Sequence, residues 1–264
     1  MITDKAVRRI ARREKLPAGM VEKDYVISWL LKEVYDNPII GENLAFKGGT
    51  ALKKVYFPDT WRLSHDLDFT LHNDLKAGDI KEGLKQAFTS LKENSGILFS
   101  VDSFHVSPDS IIASLQFKGP LVHKNRLRTD ITLTEKLLFA PQWKKLKTVY
   151  PDVPEFRVKV YTLKEILIEK LRSIMQRGKS RDYYDVWRLL KVKNYKMEKI
   201  DELLEEKCRI TQVEYRPELI FDRERLKAAE RHWKKALRNL TKELPDFPQV
   251  ISELKKEILP TDNL

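Results

Sequence analysis

The spacing of apolar residues changes character once along this chain, and that change sets the class of fold. Between Leu67 and Tyr161 apolar residues recur at every second position in short runs, the period of half-buried strands. Beyond Thr162 they recur only at three- and four-residue spacing, the period of amphipathic helices. The chain therefore reads as α/β (α+β), with a mixed sheet and its flanking helices over residues 1–162 and an α-helical lobe over 163–264. The cleft between two such lobes is where an active site is expected.

Helices are predicted from Lys5 to Glu14 and from Val21 to Tyr35, with Pro17 and Pro38 punctuating them. A Gly-rich turn follows Phe46, then a short helix through Ala51, Leu52 and Val55. Alternation at Leu67, Phe69 and Leu71 marks a strand, and a helix runs from about Ile80 to Leu91. Further strands are expected at Ile97–Val106, Ile111–Phe117, Arg126–Leu133 and Phe156–Tyr161. The helical half divides into Leu163–Gln176, Arg181–Leu190, a stretch around Met197–Lys207, a long helix from Glu218 to Leu240, and Gln249–Ile258.

Composition excludes several classes. No apolar run approaches the roughly 18 residues of a membrane span. The charged N-terminus lacks the apolar core of a secretory signal, so a cytoplasmic protein is expected. Cys208 stands alone and the five histidines are scattered, which leaves oxygen as the ligand of any metal. A net charge of +11, spread over both halves, favours a polyanionic partner.

Chemistry is suggested at five places. In Asp66-Leu67-Asp68-Phe69 the period of two sets both carboxylates on one face of a strand, where a cation between them would relieve their repulsion. Oxygen-only ligation suits Mg²⁺ (or Mn²⁺); two solvated acids are the alternative. The strand Arg126–Leu133 places Asp130 on its polar face, as a third carboxylate or as an acid neutralised by Arg126 and Arg128. Lys47-Gly48-Gly49-Thr50 allows close backbone approach to an anion, or is a plain helix-capping turn with Thr50 as N-cap. Lys170 falls in the middle of the apolar stripe of its helix, with Arg177 on the flank, and Asp182 and Asp185 share the apolar face of the next. A phosphate-binding lysine and a structural ion pair with Asp182 both account for that pattern. The helix from Glu218 carries Arg223, Arg225, Lys227, Arg231, Lys234, Lys235 and Arg238, a phosphate-tracking surface or a solvated face.

Taken in order, Lys47-Gly-Gly-Thr-Ala-Leu52, Arg62-Leu-Ser64-His-Asp66-Leu-Asp68-Phe69, the Asp130 strand, Thr162-Leu-Lys-Glu165 with Glu169-Lys170-Leu171, and Arg177-Gly-Lys179-Ser-Arg181-Asp182-Tyr-Tyr-Asp185 resemble the AbiEii-type nucleotidyltransferase toxin family. The resemblance implies a polymerase-beta-like nucleotidyltransferase lobe followed by a helical lobe. It implies a toxin of a type IV toxin–antitoxin or phage-defence system, encoded beside a winged-helix antitoxin, that transfers a nucleotide from a nucleoside triphosphate to RNA, in some relatives the 3′ end of tRNA. By the resemblance Gly49 and Thr50 contact the triphosphate with Gly48 in the same turn, Ser64 assists, and Asp66 and Asp68 hold metal. Lys170 meets phosphate beside Arg177, and Asp182 orients Lys170 or a metal. Asp130 is assigned here as the third carboxylate. A protein acceptor, or a nucleotide- or RNA-binding module without turnover, are the alternatives.

Overall fold

The computed structural model describes residues 1–259 apart from Lys147, Asn194 and Lys196, with Glu198 described by its backbone alone. It contains two compact units. The first comprises Met1–Glu135 and Ala140–Tyr161; the second comprises Lys136–Phe139 and the chain from Thr162 onward.

The first unit is a seven-stranded mixed sheet in the order β3-β4-β5-β2-β1-β7-β6. Its strands are β1 (Leu44–Lys47), β2 (Asp66–Leu71), β3 (Leu98–Val106), β4 (Ser110–Lys118), β5 (Lys124–Thr132), β6 (Gln142–Leu146) and β7 (Phe156–Val160). β2 runs parallel to β5 and β1 parallel to β7, and the other pairs are antiparallel. One sheet face is apolar because of the alternation: Leu67, Phe69, Leu115, Phe117, Leu127 and Ile131 are all buried. Helices α2 (Ala18–Asp36) and α4 (Ala77–Ser95) pack together over the sheet, α4 against β3 and α2 against β7. α1 (Asp4–Glu14) closes onto α2 through Val7, Ala11 and Val21.

The central strand β1 and the edge strand β6 are absent from the sequence reading, for different reasons. All four residues of β1 are buried, so no alternation marks it. β6 is a short, charged edge whose one buried residue is Leu146.

The second unit holds α5 (Leu163–Arg177), α6 (Ser180–Val192), α7 (Met197–Ile210), α8 (Arg223–Leu237) and α9 (Phe247–Ile258). The predicted helix from Glu218 to Leu240 is two elements. A 3-10 turn covers Pro217–Phe221, and Asp222 then starts α8 afresh, its carboxylate accepting from the Arg225 amide at 3.0 Å. Arg225 also leaves the basic face, donating to the Ile174 carbonyl at 3.1 Å, while Arg223, Lys227, Arg231, Lys234, Lys235 and Arg238 are exposed. The cap at Thr162 is one-sided. Thr162 accepts from the Glu165 amide at 3.2 Å, but the Glu165 carboxylate instead accepts from Leu138 and Phe139 and meets Lys207 at 2.8 Å. That buried pair ties the Lys136–Phe139 segment to the helical unit. Among the described residues no helix is long and apolar enough to cross a membrane.

Candidate active site around Asp66 and Asp68

The sheet register assembles the polar face opposite the apolar one. Asp66 pairs with Arg128 and Asp68 with Asp130 across the parallel β2–β5 ladder, while Lys47 of β1 stands beside Asp68 on its other flank. Residues paired across a ladder share a face, so Asp66, Asp68, Asp130 and Lys47 lie on one side of the sheet. All three aspartates are half-buried. The Asp130 carboxylate is 3.5 Å from Arg128 two residues earlier, which is the neutralised arrangement as well as the position of a third carboxylate. Among the described residues no three His, Cys, Asp or Glu side chains already converge on one point.

The glycine turn is built against this face. Gly48 has φ +77°, a conformation that favours glycine, and a Cβ there would stand 2.5 Å from Oδ2 of Asp68. A Cβ on Gly49 would stand 2.8 Å from the Arg62 guanidinium and 3.4 Å from the Ser64 hydroxyl. Gly48 is therefore required by both its backbone conformation and its approach to Asp68, while a side chain at Gly49 would oblige the Arg62 guanidinium to shift. The residues after the turn form a four-residue helix, α3 (Gly48–Ala51), which widens into a π-helical turn over Leu52–Tyr56.

Thr50 differs from the expectation. Lys47 is the N-cap residue of α3, and Thr50 is fully buried with its hydroxyl donating to the Asp66 carbonyl at 2.5 Å. The hydroxyl thus ties the turn to the start of β2 rather than facing outward.

Several charged groups escaped the sequence reading. Arg62 is buried beside Gly49 and donates to the Leu63 carbonyl at 3.0 Å. Lys47 is nearly buried and donates to Thr132 at 3.0 Å. Burial lowers the pKa of half-buried Lys23 of α2, and the nearby Asp66 offsets part of that shift. Burial and the repulsion of Lys23 push the His65 imidazole down to about 4, so His65 is neutral at pH 7.

A buried network anchors the turn from behind. Lys54, in the π-helical turn, sits 2.8 Å from the Asp24 carboxylate of α2 and donates to Ser28 at 2.8 Å; Tyr150 donates to the same carboxylate at 2.8 Å. Burial alone would raise the Asp24 carboxyl, but Lys54 outweighs it and holds the group below the usual range.

In the helical unit the charges predicted on two apolar faces meet one another. Lys170 lies 2.8 Å from Asp182 and 3.0 Å from Asp185, and Arg177 lies 3.2 Å from Asp182. Burial would raise the Asp182 carboxyl, yet Lys170 and Arg177 hold it below its ordinary value.

Comparison with known proteins identifies the fold and the family. The fold matches MenT4, a nucleotidyltransferase toxin of Mycobacterium tuberculosis, with a TM-score of 0.71 at 18% identity, over 100% of this chain and 91% of that one. No curated protein sequence matches significantly. The family described as "Nucleotidyl transferase AbiEii toxin, Type IV TA system" matches residues 29–253, which include the glycine turn, the paired aspartates and the Lys170–Asp182 cluster. With that span matched, the chain belongs to the AbiEii family of nucleotidyltransferase toxins of type IV toxin–antitoxin systems.

Proposed function

We propose that this toxin transfers a nucleotide from a nucleoside triphosphate to an RNA acceptor, with the 3′ end of tRNA as the first candidate. The observation that carries the reading is the placement of Gly48 against Asp68, with Asp66 and Asp130 on the same sheet face. The β2–β5 register sets these carboxylates on neighbouring strands beside a turn whose backbone Gly48 brings against Asp68, an arrangement that suits a cation and a phosphate together.

The donor set fits a divalent cation, Mg²⁺ or Mn²⁺: Asp66 and Asp68 would hold it with Asp130 beside them, and substrate phosphates would complete the ligands. Such an ion supplies charge neutralisation on the phosphates and acidifies an attacking hydroxyl. The acceptor oxygen attacks the α-phosphorus, the bond to pyrophosphate breaks, and the hydroxyl proton leaves to solvent or an aspartate. Gly48 and Gly49 let main-chain groups approach the triphosphate, and Arg62 and Ser64 beside Gly49 add a fixed positive charge and a hydroxyl. Thr50 keeps the turn in register with Asp66. Asp182 and Asp185 position the Lys170 ammonium, with Arg177 flanking, and that pair of cations would meet phosphate.

RNA is favoured as acceptor by the net charge of +11, because phosphates reward dispersed lysine and arginine. A cognate winged-helix antitoxin, and a cytoplasmic site of action where triphosphates and RNA are found, complete the reading. Incubation with each α-³²P-labelled nucleoside triphosphate, Mg²⁺ and either total RNA or total protein tests it. Label on RNA is expected; label on protein alone would overturn the choice of acceptor while keeping the chemistry.

A further inference from the structure

On the helix-covered side of the sheet edge lies a groove of about 700 Å³ between α4 and the edge strand β3. One wall is a single stripe of α4, Lys81, Lys85, Thr89 and Lys92, all exposed and spaced by four, four and three residues. The stripe extends about 16 Å along the helix. Phe88 and Phe99 stack on each other at 5.3 Å in the groove lining, and Lys81 lies 5.5 Å above the ring of Phe104.

The charge of this groove is one-sided. Lys85 reaches Glu82 only at 4.0 Å, in an exposed pair that contributes little. Among the described residues no acid is paired with Lys81 or Lys92. The acid of the opposite wall, Asp102, is already matched by Arg126 at 2.9 Å. Three cations thus face a shared channel, and the only acid paired with them among the described residues is the exposed Glu82, 4.0 Å from Lys85.

We infer that the α4–β3 groove binds the phosphate backbone of the RNA acceptor, away from the reacting end. Lysines on flexible stems suit contacts that carry no sequence information. Phe99 is stacked on both sides, by Phe88 and by Phe117 at 5.6 Å, and Phe104 lies under Lys81, so the contacts are to phosphate rather than to stacked bases. An acidic peptide adding to the edge strand is disfavoured by the register shift between Val101 and Ser103, which breaks the ladder such a strand requires. β3 lies three strands from β2, about 14 Å across the sheet, and its groove is on the face opposite Asp68. The groove therefore raises affinity for a long acceptor without touching the chemistry. This assignment rests on RNA being the acceptor.

The test compares wild type with the K81E/K85E/K92E and K81Q/K85Q/K92Q variants, using a fluorescent RNA in direct binding and the same RNA in transfer assays. The expected result is at least tenfold weaker binding and a raised KM for RNA, with kcat and the KM for triphosphate within about twofold. The salt dependence of binding should flatten by about 2 in log–log slope for three lost phosphate contacts. Unchanged RNA affinity and slope in both variants, with thermal unfolding intact, overturns the groove even if wild type labels RNA. Unchanged RNA affinity with loss of poly-glutamate binding likewise overturns it and points to an acidic protein instead. If wild type binds RNA through these lysines but labels only protein, the assignment of the groove to the acceptor backbone falls together with the acceptor reading, whereas RNA labelling with unchanged affinity in the variants overturns the groove alone.

Discussion

Gly48 presses against Asp68 so closely that a single methyl group added to the glycine would stand 2.5 Å from the carboxylate oxygen. The turn and the acid are thereby one mechanical unit. Gly48→Ala must both adopt φ +77° and displace Asp68, and strain of this kind costs on the order of 1–3 kcal/mol. A loss of transfer of at least tenfold is expected, with a lowered thermal midpoint. Steady-state rates and unfolding curves check this, and an alanine variant with wild-type values for both would refute the close-approach argument.

The buried Asp24–Lys54 pair predicts a pH dependence with a definite sign. The folded-state pKa of Asp24 is below its ordinary value, so its contribution to stability is complete above about pH 4 and is lost as pH falls through the depressed value. Asp24→Asn strands Lys54 and should destabilise the protein by about 3–5 kcal/mol at pH 7. It should also shed that share of the acid-induced loss seen in wild type. Urea unfolding at several pH values measures both, and parallel pH profiles would contradict the prediction.

Lys170 offers a way to separate stability from chemistry. Lys170→Met removes the 2.8 Å contact to Asp182 and the 3.0 Å contact to Asp185, both carboxylates buried, a loss expected to be about 3–5 kcal/mol. K170M/D185N also removes one of the two buried acids that faced the lysine and should recover part of that stability. Transfer should remain at least tenfold down in the double variant if Lys170 meets phosphate. Recovery of activity together with stability would make the cluster structural.

How much was legible in the sequence followed from which faces are wet. Asp66, Asp68 and Asp130 could be placed because Leu67, Phe69 and Ile131 bury the alternate positions, so period-two spacing revealed both the strands and the polar face. That Asp68 and Asp130 are direct neighbours required the β2–β5 register, a long-range pairing no local pattern encodes. The Lys170 and Asp182 anomalies were visible as charges on apolar stripes, and they resolved into one another. Asp24 and Lys54 left no comparable sign. α2 is buried over most of its circumference, so its acids gave no contrast against a polar face. Thr50 was misplaced at the helix cap because Lys47, which lacks a capping side chain, occupies that position. Arg62 was visible in the motif but its proximity to Gly49 depends on the loop returning beneath the turn.

The account stands or falls on the paired aspartates. The most direct measurement is the transfer of α-³²P nucleotide by wild type and by the Asp66→Ala/Asp68→Ala double variant, with matched unfolding curves for the two. Both side chains are on the polar sheet face and only half-buried, so the double variant should remain folded. The account predicts that it loses transfer by at least a hundredfold, about 2.7 kcal/mol of transition-state stabilisation. A folded double variant that labels its acceptor at the wild-type rate would contradict it.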